Sequence, residues 1–586
     1  MNLTHPPCPP LQIRHANLVV TEWDGEVMVG IARTLTDFSY VGYLADLAVR
    51  ASHQHRGIGK ELIKRTRDLM GERSMLVLLA APKAIEYYPK AGFTKHESAW
   101  VLRKGDLLVG DSHFPLPMRA TPKFLGTNES PGGKFPRAGR PFLSIYLAAA
   151  CIMSLFSSAF GEDWPQWRGP NRDGVWHETG IIEKFPQPQI SLLWRTPISG
   201  GYSGPTVANG RVYVTDRVAE PAETERLLCL DARTGRILWI KEYACAYTGL
   251  GYPDGPRASV VIDDGRAYSL GSMGHLRCHD AITGALLWKK DPGQDYTIAK
   301  VIWGISASPL VEKDLLIIQL GALPGGCIVA LDKRTGEEKW RALDDKVSYS
   351  APIIVERAGR RLLLCWTGEN MTALNPTTGA VYWKHPTPPV KMIINAPTPV
   401  VAGDRIFLAC FYDGSYLLRM KQDPLAVEKV WRRLGTSERD TDGLHSTIST
   451  PLLEGNHIYG VDSYGEFRCL EADTGERVWE DLTLVPRDRW ANIHMVRNGD
   501  KVWMFNERGE LIITRLSPKG VEVLSRAKLI EPTKGQLGMR QGVCWSHPAY
   551  ADKCIFARND NEIVCASLAA NPKENPPLST EPMKAD

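Results

Sequence analysis

Residues 227–239, LLCLDARTGRILW, recur down the chain as LRCHDAITGALLW at 276–288, IVALDKRTGEEKW at 328–340, MTALNPTTGAVYW at 371–383 and FRCLEADTGERVW at 467–479. Each copy opens with short apolar runs of strand character, passes through Asp or Asn and a Thr-Gly pair, and ends on tryptophan. The Thr-Gly pair predicts a tight turn with glycine at the positive-φ position, and the tryptophan buries a large ring between neighbouring units. Degenerate copies end at Trp431 and near Leu524. With Trp194 included, the spacings are 45, 49, 52, 43, 48, 48 and 45 residues, the length of a four-stranded propeller blade. A second signature keeps step. Gly204-Pro205, Ser308-Pro309, Ala351-Pro352, Thr398-Pro399, Thr450-Pro451 and His547-Pro548 each precede a blade's first strand. Seven intervals give seven blades. The eighth needs residues 545–568 for three strands and residues 192–196 for the fourth, a pairing that closes the ring and removes open edges.

Cys229, Cys278, Cys469 and Cys565 fall at one position of this repeat, where Ala330 and Ala373 stand in sister copies. A position that accepts Cys or Ala is small and buried, so these cysteines read as packing residues. The twelve cysteines include no CxxC and no adjacent pair, and no zinc ribbon or redox motif follows from them. His445, His494 and His547 are isolated and read as structural or channel-lining; no metal site is expected.

At 586 residues, 43% hydrophobic and 23% charged, the chain is globular and too long for one core. Its net charge of +4 is uneven: residues 1–140 carry 19 Lys and Arg against 13 Asp and Glu, the remainder 51 against 53. No basic stripe interleaved with aromatics accompanies the excess, so nucleic acid is not expected as a partner.

The first hundred residues have a different grammar. Leu18 to Trp23 and Val27 to Thr34 flank Asp24-Gly25-Glu26 as a hairpin, and a third strand runs from Val41 to Val49. Gln54-His55-Arg56-Gly57-Ile58-Gly59-Lys60 then leads into a helix with Ile58, Leu62, Ile63, Leu69 and Met70 at helical spacing, followed by a strand from Met75 to Leu79. Glycines between strand and helix let the backbone approach an anion, and the first-turn amides point at it with the positive end of the helix dipole. Arg56 and Lys60 add charge. Residues 84–93, AIEYYPKAGF, close the unit.

The order strand, Q-x-x-G-x-G, helix, strand, A-x-x-x-Y-x-x-x-G-F resembles the GNAT acetyltransferase superfamily over about residues 18–104. The resemblance implies an α/β acyltransferase that takes acetyl-CoA as its cofactor and an amine as acceptor. It implies that Gln54, His55, Arg56, Gly57, Ile58, Gly59 and Lys60 hold the pyrophosphate, that Leu47 and Val49 pair with the pantetheine, and that Tyr88 protonates the leaving thiolate. Many members place a glutamate on the strand before the loop as base. Tyr43 and Ala45 hold that face here, and Asp46 is the adjacent carboxylate, which strand alternation points the other way. Asp46 is therefore a candidate catalytic base or a structural hydrogen-bonding residue.

Residues 105–140 are rich in Pro, Gly and Ser and read as a flexible linker. Residues 141–160, PFLSIYLAAACIMSLFSSAF, carry no charge and follow Lys134, Arg137 and Arg140. That asymmetry predicts a signal peptide ending at 161, or an uncleaved membrane anchor, with residues 1–104 cytoplasmic and the repeats exported to the periplasm. Met118 lies just upstream, and translation from it would place the signal at an N-terminus; residues 1–117 would then be a neighbouring frame or a fusion.

Residues 163–174, DWPQWRGPNRDG, and the repeats resemble exported propellers with pyrroloquinoline-quinone-like repeats, both the quinoprotein alcohol dehydrogenases and the outer-membrane barrel-assembly lipoprotein. The dehydrogenases carry an adjacent-cysteine disulfide and a calcium site, and no Cys-Cys occurs here. The quinone is not expected as a cofactor. The expected whole is a multidomain chain, a GNAT-like α/β domain at 1–104 and an all-β eight-bladed propeller at 162–573 with a disordered tail at 574–586. The propeller is expected to bind a protein or cell-envelope partner. An exported propeller whose front part is inactive is the alternative, and a quinoprotein dehydrogenase the lesser one.

Overall fold

The structure, a computed structural model, describes residues 18–95 and 161–571 except 26, 37–40, 71–74, 79, 81–83, 85, 300, 423 and 424. The linker, Met118, the apolar run at 141–160 and the tail lie outside the described residues. The chain divides into two units, Met1–Pro141 and Phe142–Asp586.

In the first unit β1 (Leu18–Asp24), β2 (Val27–Thr36), β3 (Val41–Val49) and β4 (Met75–Val77) form one sheet in that order. The first three are antiparallel and β4 runs parallel to β3. Helix α1 (Ile58–Asp68) covers one face, burying Leu62 and Ile63 against Val20, Ala32 and Leu44. Glycines permit this approach. A Cβ on Gly30 would stand 2.9 Å from Ile58, and one on Gly42 2.7 Å from Met70. The helix ends at Asp68, so Leu69 is exposed while Met70 stays buried. A short helix α2 (Tyr87–Lys90) closes the unit.

The second unit is almost wholly β. Its strands build eight antiparallel sheets, seven of four strands and one of five, called I to VIII in chain order. They span residues 206–244, 261–290, 297–342, 353–386, 400–433, 452–481, 493–528 and 549–567. Sheet VIII takes its fourth strand from β5 (Leu192–Pro197), which pairs with Glu562–Ser567. The predicted closing pair therefore forms. Each proline of the second signature immediately precedes a first strand, as in Pro205 before Thr206 and Pro451 before Leu452.

The repeat's chemistry is visible between sheets. Trp194 of sheet VIII donates its indole N–H to Ala232 O of sheet I at 2.9 Å, Trp239 of sheet I to Ile282 O of sheet II at 3.0 Å, and Trp288 of sheet II to Lys333 O of sheet III at 3.1 Å. Trp340, Trp431 and Trp479 repeat the bond into sheets IV, VI and VII. Except at Ser517, in the Ser517–Gly520 turn of sheet VII, the accepting carbonyl belongs to the neighbour's Thr-Gly turn, and the glycine of that turn lies against the same ring. Gly235, Gly284, Gly336 and Gly379 sit at φ of 69° to 73°, and a Cβ on any of them would meet the tryptophan at 2.5 to 2.7 Å. Glycine is thus required twice, by backbone conformation and by the ring. Across the ladder of sheets I to IV the tryptophan faces the small residue: Cys229 pairs with Trp239, Cys278 with Trp288, Ala330 with Trp340 and Ala373 with Trp383, whereas Trp431 of sheet V faces Leu417. A register shift follows each of these pairs, which bends the strand. In sheet VII the position facing Ile513 is Ser525, one residue past Leu524, and Phe185 docks there by donating its amide to Ser525 Oγ at 2.9 Å.

Residues 163–174 stitch the sheets together. Trp164 pairs with Val207 of sheet I, Trp167 donates to Thr398 Oγ1 at the start of sheet V, and Gly174 accepts from Arg497 of sheet VII. Arg172, 4% exposed, donates to Ser308 O, Pro309 O and Pro352 O at the openings of sheets III and IV.

Candidate functional site

In the first unit the loop after β3 prepares the end of α1. His55 has φ of 64° and Gly57, the N-cap of α1, has φ of 82°, both left-handed. This turn leaves Gly57 and Lys60 exposed; Lys60 N and Glu61 N donate to Gly57 O, and the amides of Ile58 and Gly59 open the helix. The Gln54 side chain donates to Val49 O at 3.0 Å and ties the loop to its strand. β3 pairs with β4 at Val41, Gly42 and Tyr43, and among the described residues no ladder continues on that edge from Leu44 to Val49. An open strand edge beside a helix N-terminus is a place where an extended polar chain ending in an anion can lie.

Asp46 departs from simple alternation. Between Arg33 and Thr34 the β2–β3 register shifts, so Asp46 faces Arg33 while Tyr43 faces Leu35. Asp46 therefore shares the face of Tyr43 instead of opposing it, and its carboxylate accepts from Arg33 Nε at 2.5 Å. Leu47 and Val49 turn to the α1 side and pack against its core.

Tyr88 lies on α2 with its ring edge-on to Tyr87 at 5.5 Å and to Phe93 at 5.6 Å. Burial raises the pKa of both tyrosines, and Tyr87 adds to the shift on Tyr88. Each hydroxyl accordingly keeps its proton at neutral pH. Sequence reasoning passed over Tyr87, whose hydroxyl rests on Gly59: a Cβ there would stand 2.5 Å from Tyr87 Oη. The only signal was that Tyr87 directly precedes Tyr88, the tyrosine that the A-x-x-x-Y-x-x-x-G-F pattern selects.

The second unit encloses a cavity of about 180 Å³ walled by Trp167, Tyr202, Tyr252, Trp303, Tyr349, Trp490 and Trp545. Arg257, His494 and His547 also line it, with no carboxylate among its walls. The Arg257 guanidinium lies over the Tyr202 ring at 4.7 Å and donates to the carbonyls of Gly251 and Tyr252. Burial drives His494 down to about 4 and His547 below its ordinary value as well, so both imidazoles are neutral near pH 7. His547 bonds Ser259 Oγ at 2.9 Å, and His494 donates to Trp545 O at 2.8 Å. His445, the third singled out by sequence, instead bonds Phe411 O at 2.9 Å in the core of sheets V and VI.

These features describe a chain of two kinds, an acyltransferase-like α/β unit and a repeat of antiparallel four-stranded sheets with inter-sheet tryptophans. Residues 188–249, 223–481 and 441–582 match the family model described as outer membrane protein assembly factor BamB, and the chain belongs to that family. Residues 5–93 match the model of the acetyltransferase (GNAT) family, so the chain also carries a GNAT domain. A curated relative, the outer membrane protein assembly factor BamB of Burkholderia pseudomallei (strain K96243), is 23% identical over 346 residues, covering 56% of this chain and 71% of the relative. Among solved structures, BamB from Moraxella catarrhalis is 18% identical with a TM-score of 0.42, over 64% of this chain and 98% of that one. A europium-containing methanol dehydrogenase is 13% identical with a TM-score of 0.49, over 68% and 90%. No helix among the described residues is long and apolar enough to cross a membrane.

Proposed function

We propose that the first unit transfers acetyl from acetyl-CoA to an amine, and that the second is an eight-bladed, exported binding module for a protein of the cell envelope. The observation that carries the first half is the left-handed Gly57 opening an eleven-residue helix after β3, whose ladder with β4 stops at Tyr43 among the described residues. In this reading the amides of Ile58 and Gly59, with Gln54, His55, Arg56, Gly57 and the Lys60 side chain around them, receive the pyrophosphate, and the backbone of Leu47 and Val49 pairs with the pantetheine. The amine nitrogen attacks the thioester carbonyl, the C–N bond forms and the C–S bond breaks. Asp46, held by Arg33, takes the amine proton through a water, and Tyr88 supplies a proton to the departing thiolate. Products are the acetylated amine and free coenzyme A.

For the second unit, the indole bond from sheet VIII into sheet I supports closure of eight blades into a ring. The aromatic cavity supports a binding role. The apolar run at 141–160 is proposed as the export signal or anchor, which would leave the first unit on the cytoplasmic side if uncleaved.

Titration calorimetry of the full chain with acetyl-CoA tests the enzyme half. Saturable heat that Gly59→Val abolishes supports it, and no heat with the wild type removes it. The mature N-terminus of protein recovered from cells tests export: a start near Glu162 supports cleavage, and one polypeptide containing peptides from both units supports the fusion.

A further inference from the structure

Three side chains that the repeat does not explain converge between sheets I and II. The strands of sheet I, Arg211–Val218, Thr224–Asp231 and Ile237–Ala244, are eight residues long, against five in the corresponding strands of sheet II. Glu225 lies on the added length and Cys245 follows directly after it, while His275 comes from the turn that enters Leu276–Asp280. Cys245 is not at the position facing a tryptophan that accounts for Cys229, Cys278, Cys469 and Cys565. One ligand atom from each of Glu225, Cys245 and His275 lies within 4.8 Å of the others, and Cys245 Sγ is 3.5 Å from His275 Nδ1. A tetrahedral metal with bonds of about 2.3 Å to sulfur and about 2.0 Å to nitrogen separates those two atoms by roughly 3.5 Å.

The charge balance points the same way. Glu225 is 1% exposed, and its carboxylate accepts hydrogen bonds from the Tyr243 and Tyr247 hydroxyls and from Ser272 N at 2.9 Å. All three donors are neutral. None of the nearby cations forms an ion pair with Glu225 among the described residues: Arg217 pairs with Glu223 at 2.8 Å and Arg277 with Asp291 at 2.5 Å, and Arg257, whose charge Glu225 also feels, donates to Ser272 Oγ and to the carbonyls of Gly251, Tyr252 and Gly255. Arg217 and Arg277 stack on the faces of Tyr247 and Tyr243, at 4.5 and 4.4 Å, and so brace the two rings that orient Glu225. A buried carboxylate held in place by neutral donors is costly without a cation of its own. One divalent ion with this carboxylate and one thiolate is neutral overall.

We propose that Glu225, Cys245 and His275 bind a zinc-class divalent ion that staples sheet I to sheet II. The half-buried side of His275 admits water as the fourth ligand, and the tyrosines are the outer shell that fixes the carboxylate. Binding releases the thiol proton to solvent and involves no redox change.

The test uses the purified full chain, stripped with chelator, reloaded with zinc and dialysed. About one zinc per chain is expected by elemental analysis, and cobalt loading should give a thiolate-to-metal charge-transfer band in the near ultraviolet. Cys245→Ser and His275→Ala should each lose the band and most of the metal, whereas Cys229→Ala, a repeat cysteine of equal burial, should keep both. Tyr243→Phe should weaken zinc by about tenfold while the band remains. Wild-type protein that retains no zinc and gives no cobalt band overturns the proposal. So does a folded Cys245→Ser variant, checked by circular dichroism, that retains the metal in full.

Discussion

The two units solve the problem of covering a sheet in opposite ways. In the first, one helix covers one face, and Tyr43, Leu35 and Val77 are exposed among the described residues. In the second, a tryptophan of one sheet bonds the turn of the next at six joints among the described residues, so that a sheet such as II is both cover and covered. The first unit thus depends on a few non-repeated contacts, and its proposed site draws on single residues of β3, one loop and α2. The second spreads its stability over many equivalent joints, and its repeat carries structural information with little about ligands.

The largest test of that contrast removes a joint. Trp340→Ala deletes a 9% exposed ring and its bond to Pro376 O, and should cost about 3 to 5 kcal/mol in chemical denaturation. A loss below about 1 kcal/mol would show that the joints do not share the load as described. In the first unit the corresponding test addresses the proposed acyl transfer. Tyr88→Phe should lower the rate of coenzyme A release by about a hundredfold, with acetyl-CoA affinity unchanged; a rate equal to wild type would reassign the acid, with Tyr87→Phe as the next variant.

A smaller effect concerns conformation alone. Gly379→Ala must hold φ of 73° and push Trp340 aside, and should cost about 1 to 3 kcal/mol. Acidity comes next. Burial and the neighbouring Asp560 raise Asp254 above its usual 3.8. The folded chain therefore holds a proton that the unfolded chain has already released. Stability from this group is full below the usual value and falls as pH rises through the raised one. Asp254→Asn should flatten that part of the stability profile, measured by thermal denaturation between pH 4 and neutrality; an unchanged profile would remove Asp254 as its source. The smallest change is Cys469→Ala. Sister sheets use Ala330 and Ala373 at this position, so the cost should stay below about 1.5 kcal/mol. A larger loss would mean that the copies are not interchangeable.

What the sequence made legible follows the range of the interactions concerned. The Asp-x-x-Thr-Gly turn is local: Thr234 bonds Asp231 Oδ1 and Gly235 N bonds Asp231 O within five residues. Its spacing from the tryptophan is equally local, and the closing pair followed from counting copies. The loop from Gln54 to Lys60 and helix α1 were legible for the same reason. The face of Asp46 was not, because it depends on a register shift against β2, which alternation within β3 does not contain. Nor was the aromatic cavity, whose walls come from loops as far apart as Trp167 and Trp545. Arg172 stands in the 163–174 stretch without a partner that its own neighbours in sequence would announce. Only the assembled sheets bring carbonyls from Ser308, Pro309 and Pro352 around it.

Strand β5 sets a schedule. It leaves the ribosome before any of the eight repeats, and its partner Glu562–Ser567 leaves after nearly all of them, so the earliest strand of this unit waits for the latest. Until then β5 and the nascent sheets present open edges, the state in which chains pair with one another. A message truncated shortly before codon 562 would yield a chain with nearly every joint made and no lock, prone to aggregate. Quality control that recognises an unpaired β5 would read a single strand as a report on whether the whole unit had been finished.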